Sequence, residues 1–283
     1  MAPFSEKRNG AILVTGGNAG IGMALCKQLA SEDDYCVFLG ARSVDKGAAA
    51  LDEIKKQAPT VEGKIKVVQL DVTDDASVVA AKEEITRDLA SMGQEKLYAL
   101  VNNAGTGLAH NVDEQTIIGT NYHGVKRVTA AFLPLVASRI VNVGSGAGPS
   151  YVNKCTSAAI KNILVSDSSI EAIEGCLTDG LPLDSMKGYG VSKACLAAYT
   201  GWMAKQHPTL KISCCTPGFI NTAIVQGFGA TKSPEEGTRS IRHCLFEELG
   251  GSGWYFGSDA VRSPLHFMRN PGEPEFDGVP PMF

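Results

Sequence analysis

Short apolar runs alternate along the chain with longer stretches in which apolar residues recur at helical spacing. The short runs predict strands and include AILVTG, CVFLGA, KVVQLDV, LYALVNNAG, RIVNVGS and KISCCTPG. The longer stretches predict helical regions, and two further helical regions are predicted at residues 114–136 and 189–205. Such alternation is typical of parallel strands covered by helices on both faces. We therefore expect one α/β domain over residues 1–283, built on a doubly wound, Rossmann-type parallel sheet of about seven strands.

Two stretches interrupt this alternation. Residues 146–188 mix Gly, Pro and Ser into weakly helical pieces such as residues 166–177. Residues 258–283 are rich in Pro and predict an irregular surface tail. Between these stretches, Ser233, Pro234 and Glu236 have the spacing of an N-cap, a first-turn Pro and a capping-box acid, which predicts one more helix start.

The first predicted strand leads directly into a glycine-rich turn, TGGNAGIG, which opens a helix. Glycines at this place permit a tight turn and let a phosphate reach the backbone N–H groups at the helix N-terminus. The spacing of Gly16, Gly20 and Gly22 is GxxxGxG, not the GxGxxG of larger dehydrogenases. A glycine-rich turn without a ligand is the alternative. We predict a dinucleotide cradle that includes Asn18 and Ile21.

The second predicted strand ends in LGAR, without the acid that binds the ribose 2′-hydroxyl of NAD. Arg42 offers instead a planar guanidinium that matches the geometry of a 2′-phosphate. A solvated surface arginine is the alternative interpretation. The sequence therefore favours NADPH/NADP+ as the cofactor.

Tyr189 and Lys193 are four residues apart in a predicted helix, so their side chains share one face. A nearby ammonium favours the phenolate and is expected to lower the pKa of Tyr189 toward the working pH. Tyr189 is therefore the predicted proton donor. Packing plus a surface cation is the alternative for this pair.

Four motifs follow one another along the chain: the glycine-rich turn, Asp71-Val72, NNAG at residues 102–105, and Tyr189-x-x-x-Lys193. In this order they resemble the short-chain dehydrogenase/reductase family over about residues 10–257. The pattern is most similar to that of the monomeric NADPH-dependent carbonyl reductases. The resemblance implies reduction of a ketone, aldehyde or quinone to an alcohol, with hydride from the nicotinamide and the proton from Tyr189.

The same resemblance implies roles for the matched residues. Ser145 would bond the substrate oxygen, Asn121 would anchor a water relay to the lysine, and Lys193 would hold the nicotinamide ribose. The other implied cofactor contacts are Asp71 and Val72 at the adenine, Asn103, Ala104 and Gly105 beneath the cofactor, and Pro217, Gly218, Ile220 and Thr222 at the nicotinamide amide.

The stretch 146–188 is longer than most of the family have between this Ser and this Tyr, and the monomeric carbonyl reductases carry a comparable insertion. In relatives without it, the Tyr-bearing helix packs in a dimer interface, so the resemblance implies a monomer. The insertion and the loop at residues 219–232 are expected to choose the substrate. The loop's apolar residues favour a bulky or aromatic carbonyl or pack the loop itself: Phe219, Ile220, Ile224, Val225 and Phe228.

Composition and charge limit the classes of partner that we expect for this protein. The formal net charge of -4 predicts no nucleic-acid partner, and the apolar runs are shorter than the ~20 residues that span a bilayer. The N-terminal residues lack an apolar signal segment, which favours the cytoplasm. The sequence has no HExxH motif and no paired CxxC motif, so it does not predict a metal site. Its eight cysteines are scattered along the chain, which favours reduced thiols over disulfides.

Two other functions stay open at this point. An NADP-dependent alcohol dehydrogenase would use the same residues in the oxidative direction, and only the predicted cofactor preference favours reduction. A non-enzymatic NADP(H)-binding sensor could share the fold. Such proteins usually lose the Tyr or the Lys, and this chain has both.

Overall fold

A parallel sheet of seven strands lies at the centre of the fold. The structure is a computed structural model that describes residues 10–166, 168–179 and 188–283. Within these ranges the strands are β1 (Ala11–Thr15), β2 (Cys36–Ala41), β3 (Ile65–Gln69), β4 (Leu97–Asn102), β5 (Val136–Val143), β6 (Lys211–Cys215) and β7 (Tyr255–Phe256). Their order is β3-β2-β1-β4-β5-β6-β7, and β1 pairs in parallel with β2 and β4. The predicted doubly wound sheet is confirmed, with its change of direction between β1 and β4.

The described helices follow the predicted alternation. They are α1 (Gly20–Ser31), α2 (Val44–Gln57), α3 (Asp75–Ser91), α4 (Glu114–Ile118), α5 (Val125–Phe132), α6 (Ala147–Lys154), α7 (Ala158–Val165), α8 (Ile170–Asp179), α9 (Tyr189–Gln206), α10 (Pro234–Gly237) and α11 (Arg239–Phe246). Within the described ranges, no helix combines the length and apolar character needed to cross a bilayer.

The chain folds as two compact units. The first comprises the described residues up to Ala104 together with Gly124–Ile140. In this unit β1 and β2 are buried along their whole length, as their uninterrupted apolar runs require. The second unit comprises Gly105–His123 together with the described part of Val141–Phe283. Its central helix α9 is buried on nearly all sides because α6 and α8 of the insertion pack along it.

The predicted helical region over residues 114–136 is confirmed over residues 114–135, but it is not one continuous α-helix. A π-helix, Gly119–Gly124, separates α4 from α5, and α5 ends at Phe132. Leu133–Leu135 then form one 3₁₀ turn before β5 begins. Pro134 explains this end, because proline lacks the N–H that a continuing helix needs.

The two stretches that interrupt the alternation differ in structure. In its described residues the insertion forms three helices, α6, α7 and α8, where the sequence predicts only weak helical pieces. Position 167 of the predicted piece and positions 180–187 of the insertion lie outside the described residues. Residues 258–283 contain no helix or strand. The predicted capping box is confirmed, since Ser233 Oγ accepts from Glu236 N at 3.2 Å and Glu236 Oε2 accepts from Ser233 N at 2.8 Å.

Candidate active site

The glycine-rich turn in the first unit needs glycine at several of its positions. Gly16 and Gly20 adopt φ of +64° and +52°, which disfavour any residue with a Cβ. A Cβ on Gly16 would lie 2.9 Å from Ala104 Cα, and one on Gly22 would lie 2.3 Å from Gly16 O. Helix α1 starts at Gly20 without a side-chain cap, so its first N–H groups suit an anion. These features fit the phosphates of a dinucleotide.

The NNAG segment holds this turn in place. Asn103 Nδ2 donates to Thr15 O at 2.9 Å and to Gly16 O at 3.2 Å. In return, Thr15 Oγ1 accepts from Asn103 N and Ala104 N, both at 3.0 Å. Sequence reasoning did not single out Thr15, although its position at the end of β1 brings its hydroxyl to the strand that pairs with β1.

The other predicted nucleotide residues of this unit sit at the ends of β2 and β3. Arg42 directly follows β2 and is exposed. Asp71 Oδ1 accepts from Thr73 N at 2.9 Å, so this carboxylate shapes its own turn. Val72 is buried, and its side chain occupies the space that a Cβ on Gly124 would need. Asn18 and Ile21 lie half-buried in the glycine-rich turn.

The second unit brings together Tyr189, Ser145 and Lys193. Tyr189 is the first residue of α9, placed there by Gly188, whose φ is +79°. Its hydroxyl hydrogen-bonds to the side chain of Ser145, which follows β5. Ser145 Oγ also accepts from Ala147 N at 3.2 Å, which fixes the hydroxyl at the start of α6. Two hydroxyl groups therefore meet at one point, where a carbonyl oxygen could accept from both.

Lys193 lies one turn further along α9 and is also buried. Its Nζ donates to Val143 O at 2.9 Å and lies 5.9 Å from the centroid of the Tyr189 ring. Burial lowers the pKa of Lys193 to about 8, because the charged form loses hydration. The lysine therefore gives up its proton more readily than an exposed lysine, while it keeps its positive charge below about pH 8.

The predicted lowering of the pKa of Tyr189 is wrong. Burial raises the pKa of this phenol, and the hydrogen bond from Ser145 offsets only part of that effect. Lys193 Nζ donates to Val143 O and lies 5.9 Å from the centroid of the Tyr189 ring, so burial sets the direction of the pKa shift of Tyr189. Tyr189 thus stays protonated, the state that a proton donor requires.

Asn121 lies in the π-helix and is fully buried. Its Oδ1 accepts from Thr106 N, and its Nδ2 donates to Thr106 O, both at 2.9 Å. Nδ2 also lies 3.4 Å from Ser192 Oγ on α9. Single π-helical turns often occur at functional sites. The side chain therefore holds the loop after β4, while its implied water relay stays a prediction.

The residues predicted to contact the nicotinamide amide lie after β6. Pro217 is buried and Gly218 has a φ of +92°. Ile220 is buried and pairs with Lys232 across the base of the loop, whereas Phe219 is 51% exposed. The half-buried Thr222 ends this group. Ile220 thus packs the loop, while the side chain of Phe219 lies at the surface.

Sequence reasoning missed two further residues, which lie next to Tyr189 and Ser145. A Cβ on Gly107 would lie 2.5 Å from Tyr189 Cδ2, so this glycine backbone covers the phenol ring. A Cβ on Gly146 would lie 2.8 Å from Met268 Sδ, which brings the tail next to Ser145. Gly107 had a visible sequence cue in its position just after NNAG. Met268 had none, because tail packing has no periodicity.

A doubly wound sheet with an uncapped glycine-rich turn, in one chain with a cluster of Tyr189, Lys193 and Ser145, is typical of the class of Rossmann-type oxidoreductases. Gly105, at the end of NNAG, is half-buried and belongs to the second unit.

Comparison with known proteins identifies the family. The short chain dehydrogenase profile matches residues 10–162. Salutaridine reductase of Papaver bracteatum is 31% identical over 86% of this chain and 93% of its own length. Carbonyl reductase 1 of Homo sapiens, named for NADPH, is 26% identical over 81% of this chain and 87% of its own. The solved structure of salutaridine reductase from Papaver somniferum has a TM-score of 0.74 at 28% identity, covering 87% of this chain and 99% of that one. The chain belongs to the short-chain dehydrogenase family.

Proposed function

We propose that this protein reduces a carbonyl compound to an alcohol with NADPH. The observation that carries the proposal is the hydrogen bond between the hydroxyl of Tyr189 and Ser145, with burial keeping the phenol protonated. A protonated phenol held at a second hydroxyl is suited to receive a carbonyl oxygen and to give it a proton. The names of the relatives, salutaridine reductase and an NADPH carbonyl reductase, support the same reaction class.

The chain's own residues would share the work as follows. Ser145 and Tyr189 would each donate a hydrogen bond to the substrate oxygen and so stabilise the negative charge that develops on it. Tyr189 would then transfer its proton to that oxygen. Lys193, one turn away and with a pKa of about 8, would supply positive charge that favours this loss of the proton. The nicotinamide, when bound, supplies the hydride.

The first unit would hold the nucleotide half of the cofactor. The pyrophosphate would bind at the glycine-rich turn and the uncapped start of α1. Arg42 would bind the 2′-phosphate, for which its exposed position directly after β2 is suitable. In cells NADPH serves mainly as a reductant, so this preference favours reduction over the reverse oxidation by the same residues.

The proposal extends to the state of the protein. Residues 1–283 would act as a single NADP(H)-binding oxidoreductase domain and as a monomer. The helices of the insertion already occupy the surface of α9, which a helix-bundle dimer would need. The substrate would be a small molecule with an apolar or aromatic body, since Phe219 and Phe228 are 51% and 58% exposed on the loop after β6.

Product analysis with the purified protein tests this proposal. NADPH is mixed with an aromatic aldehyde, a bulky cyclic ketone, acenaphthenequinone and 2,3-butanedione, and NADPH loss is compared with the alcohol formed. We expect equal amounts of NADP+ and alcohol with at least one carbonyl, and slower reaction with NADH. NADPH binding without turnover on any carbonyl would favour a sensor. Faster reaction of NADP+ with the matching alcohols across the pH range would favour an alcohol dehydrogenase.

A further inference from the structure

The tail after β7 is anchored at two points on the second unit. Leu265 packs against a buried apolar cluster formed by Ala197, Cys214 and Tyr255. Four residues later, the side chain of Arg269 is almost completely buried and forms an ion pair with Asp259. Arg269 Nε donates to Ser263 Oγ at 2.9 Å, and its Nη1 donates to Glu273 O at 2.6 Å. The residues between Leu265 and Arg269 are therefore held in a defined place.

Two of these intervening residues are large, apolar and exposed. Phe267 is 40% exposed and Met268 is 53% exposed. A segment fixed at both ends does not expose such side chains through local disorder. The two side chains therefore offer an apolar surface at a fixed place, which a ligand could cover.

Met268 reaches the residue next to the predicted catalytic serine. A Cβ on Gly146 would lie 2.8 Å from Met268 Sδ and 3.5 Å from its Cγ. The same sulfur lies 3.9 Å from Ser150 Oγ on α6. The thioether thus covers the backbone between Ser145 and α6, at a position that glycine leaves without a side chain of its own.

We propose that Met268 is a specificity-determining residue that contacts the body of the substrate beside Ser145 and favours bulky aromatic carbonyls. This inference rests on the proposed reductase function. A methionine suits the role because its unbranched side chain adapts to irregular shapes and its sulfur makes favourable contacts with aromatic rings. The oxygen of the substrate would lie at Ser145 and Tyr189, and its apolar part would extend over Met268.

Substrate selection in variants tests the proposal. Acenaphthenequinone and 2,3-butanedione share a vicinal dione but differ in bulk. Met268→Ala is expected to raise KM for the aromatic dione about tenfold, while kcat/KM for butanedione stays within about twofold of wild type. Met268→Leu is expected to keep most of the wild-type preference for the aromatic dione, because leucine and methionine have similar volumes. Met282→Ala, at a tail residue that is 97% exposed, is the matched control and leaves both substrates unchanged.

A second readout does not depend on turnover. Hydrogen peroxide converts exposed methionines to sulfoxides, which mass spectrometry quantifies at each position. We expect acenaphthenequinone, added with NADPH, to slow oxidation of Met268 several-fold and to leave Met282 unaffected. Protection without any turnover would support the contact at Met268 and contradict the reductase function. Turnover with equal oxidation at both sites and an unchanged substrate ratio in Met268→Ala would overturn the inference and leave the function intact.

Discussion

Asn121 and Thr106 bind each other through both atoms of one side-chain amide. Oδ1 accepts from Thr106 N and Nδ2 donates to Thr106 O, so one buried side chain satisfies both backbone groups of a loop residue. This loop continues to Gly107, whose backbone lies against the ring of Tyr189. The amide therefore fixes the loop that covers the predicted proton donor.

Replacing this amide should weaken the fold. Asn121→Ala leaves the N–H and C=O of Thr106 without these partners, and we expect the free energy of unfolding to fall by about 2–4 kcal/mol. Asn121→Asp keeps the acceptor but loses the donor, so its loss should also be large. Urea unfolding measures both. Gln115→Ala, at an exposed position on α4, should change stability by less than about 0.5 kcal/mol. Equal stability of Asn121→Ala and this control would refute the role of the amide.

Lys193 should make stability depend on pH. Burial lowers its pKa to about 8 from 10.5, so between these values the unfolded chain binds a proton that the folded chain lacks. The contribution of Lys193 to the free energy of unfolding therefore rises as pH increases from 8 to 10.5 and is constant below 8. Over that interval we expect wild type to gain up to about 3 kcal/mol relative to Lys193→Met.

Urea unfolding at several pH values gives this comparison. Lys154→Met, at an exposed lysine on α6, reports the titration of the rest of the chain. A pH dependence that is the same in wild type, Lys193→Met and Lys154→Met would show that Lys193 titrates as an ordinary lysine.

Arg42 should set the choice between the two nicotinamide cofactors. Arg42→Ala removes the guanidinium that we assign to the 2′-phosphate, so kcat/KM for NADPH should fall about 10- to 100-fold, with little change for NADH. Binding of 2′,5′-ADP, followed by calorimetry, should weaken in parallel. Arg87→Ala removes an exposed arginine of α3 and serves as the control. An unchanged NADPH to NADH ratio would assign Arg42 to the solvated surface.

The covered α9 predicts that the protein is a monomer. Light scattering coupled to size exclusion should give a mass near 29.8 kDa across the concentrations used for assays. The physical reason is that α6 and α8 bury the surface of α9 within the same chain. A mass of twice that value would refute the predicted monomer.

Local patterns in the sequence predict the parts of the fold that depend on local physics. The apolar runs predict β1 to β6, and the spacing of Ser233 and Glu236 predicts the capping box. The spacing of Gly16 and Gly20 predicts turn residues, and both adopt the positive φ that favours glycine. Pro134 also indicates that α5 ends near Phe132, but the predicted helical region did not take this proline into account.

Features that depend on tertiary burial could not be predicted in the same way. The spacing of Tyr189 and Lys193 places a cation near a phenol, but the direction of the pKa shift follows from how completely both side chains are buried. Met268 meets Gly146 through contacts between residues far apart in the chain. No repeating pattern in the sequence indicates how completely a side chain is buried or which distant residues pack together.

The central claim is that the hydroxyl of Tyr189 gives its proton to the substrate oxygen, and one comparison of variants tests it most directly. Tyr189→Phe removes that hydroxyl, and Tyr35→Phe removes the hydroxyl of another buried tyrosine, in the first unit. NADPH-dependent alcohol formation is measured together with NADPH binding by fluorescence. We predict that Tyr189→Phe binds NADPH but loses at least about 100-fold in kcat, while Tyr35→Phe stays near wild type. A Tyr189→Phe enzyme that retains wild-type kcat would contradict the proposed mechanism.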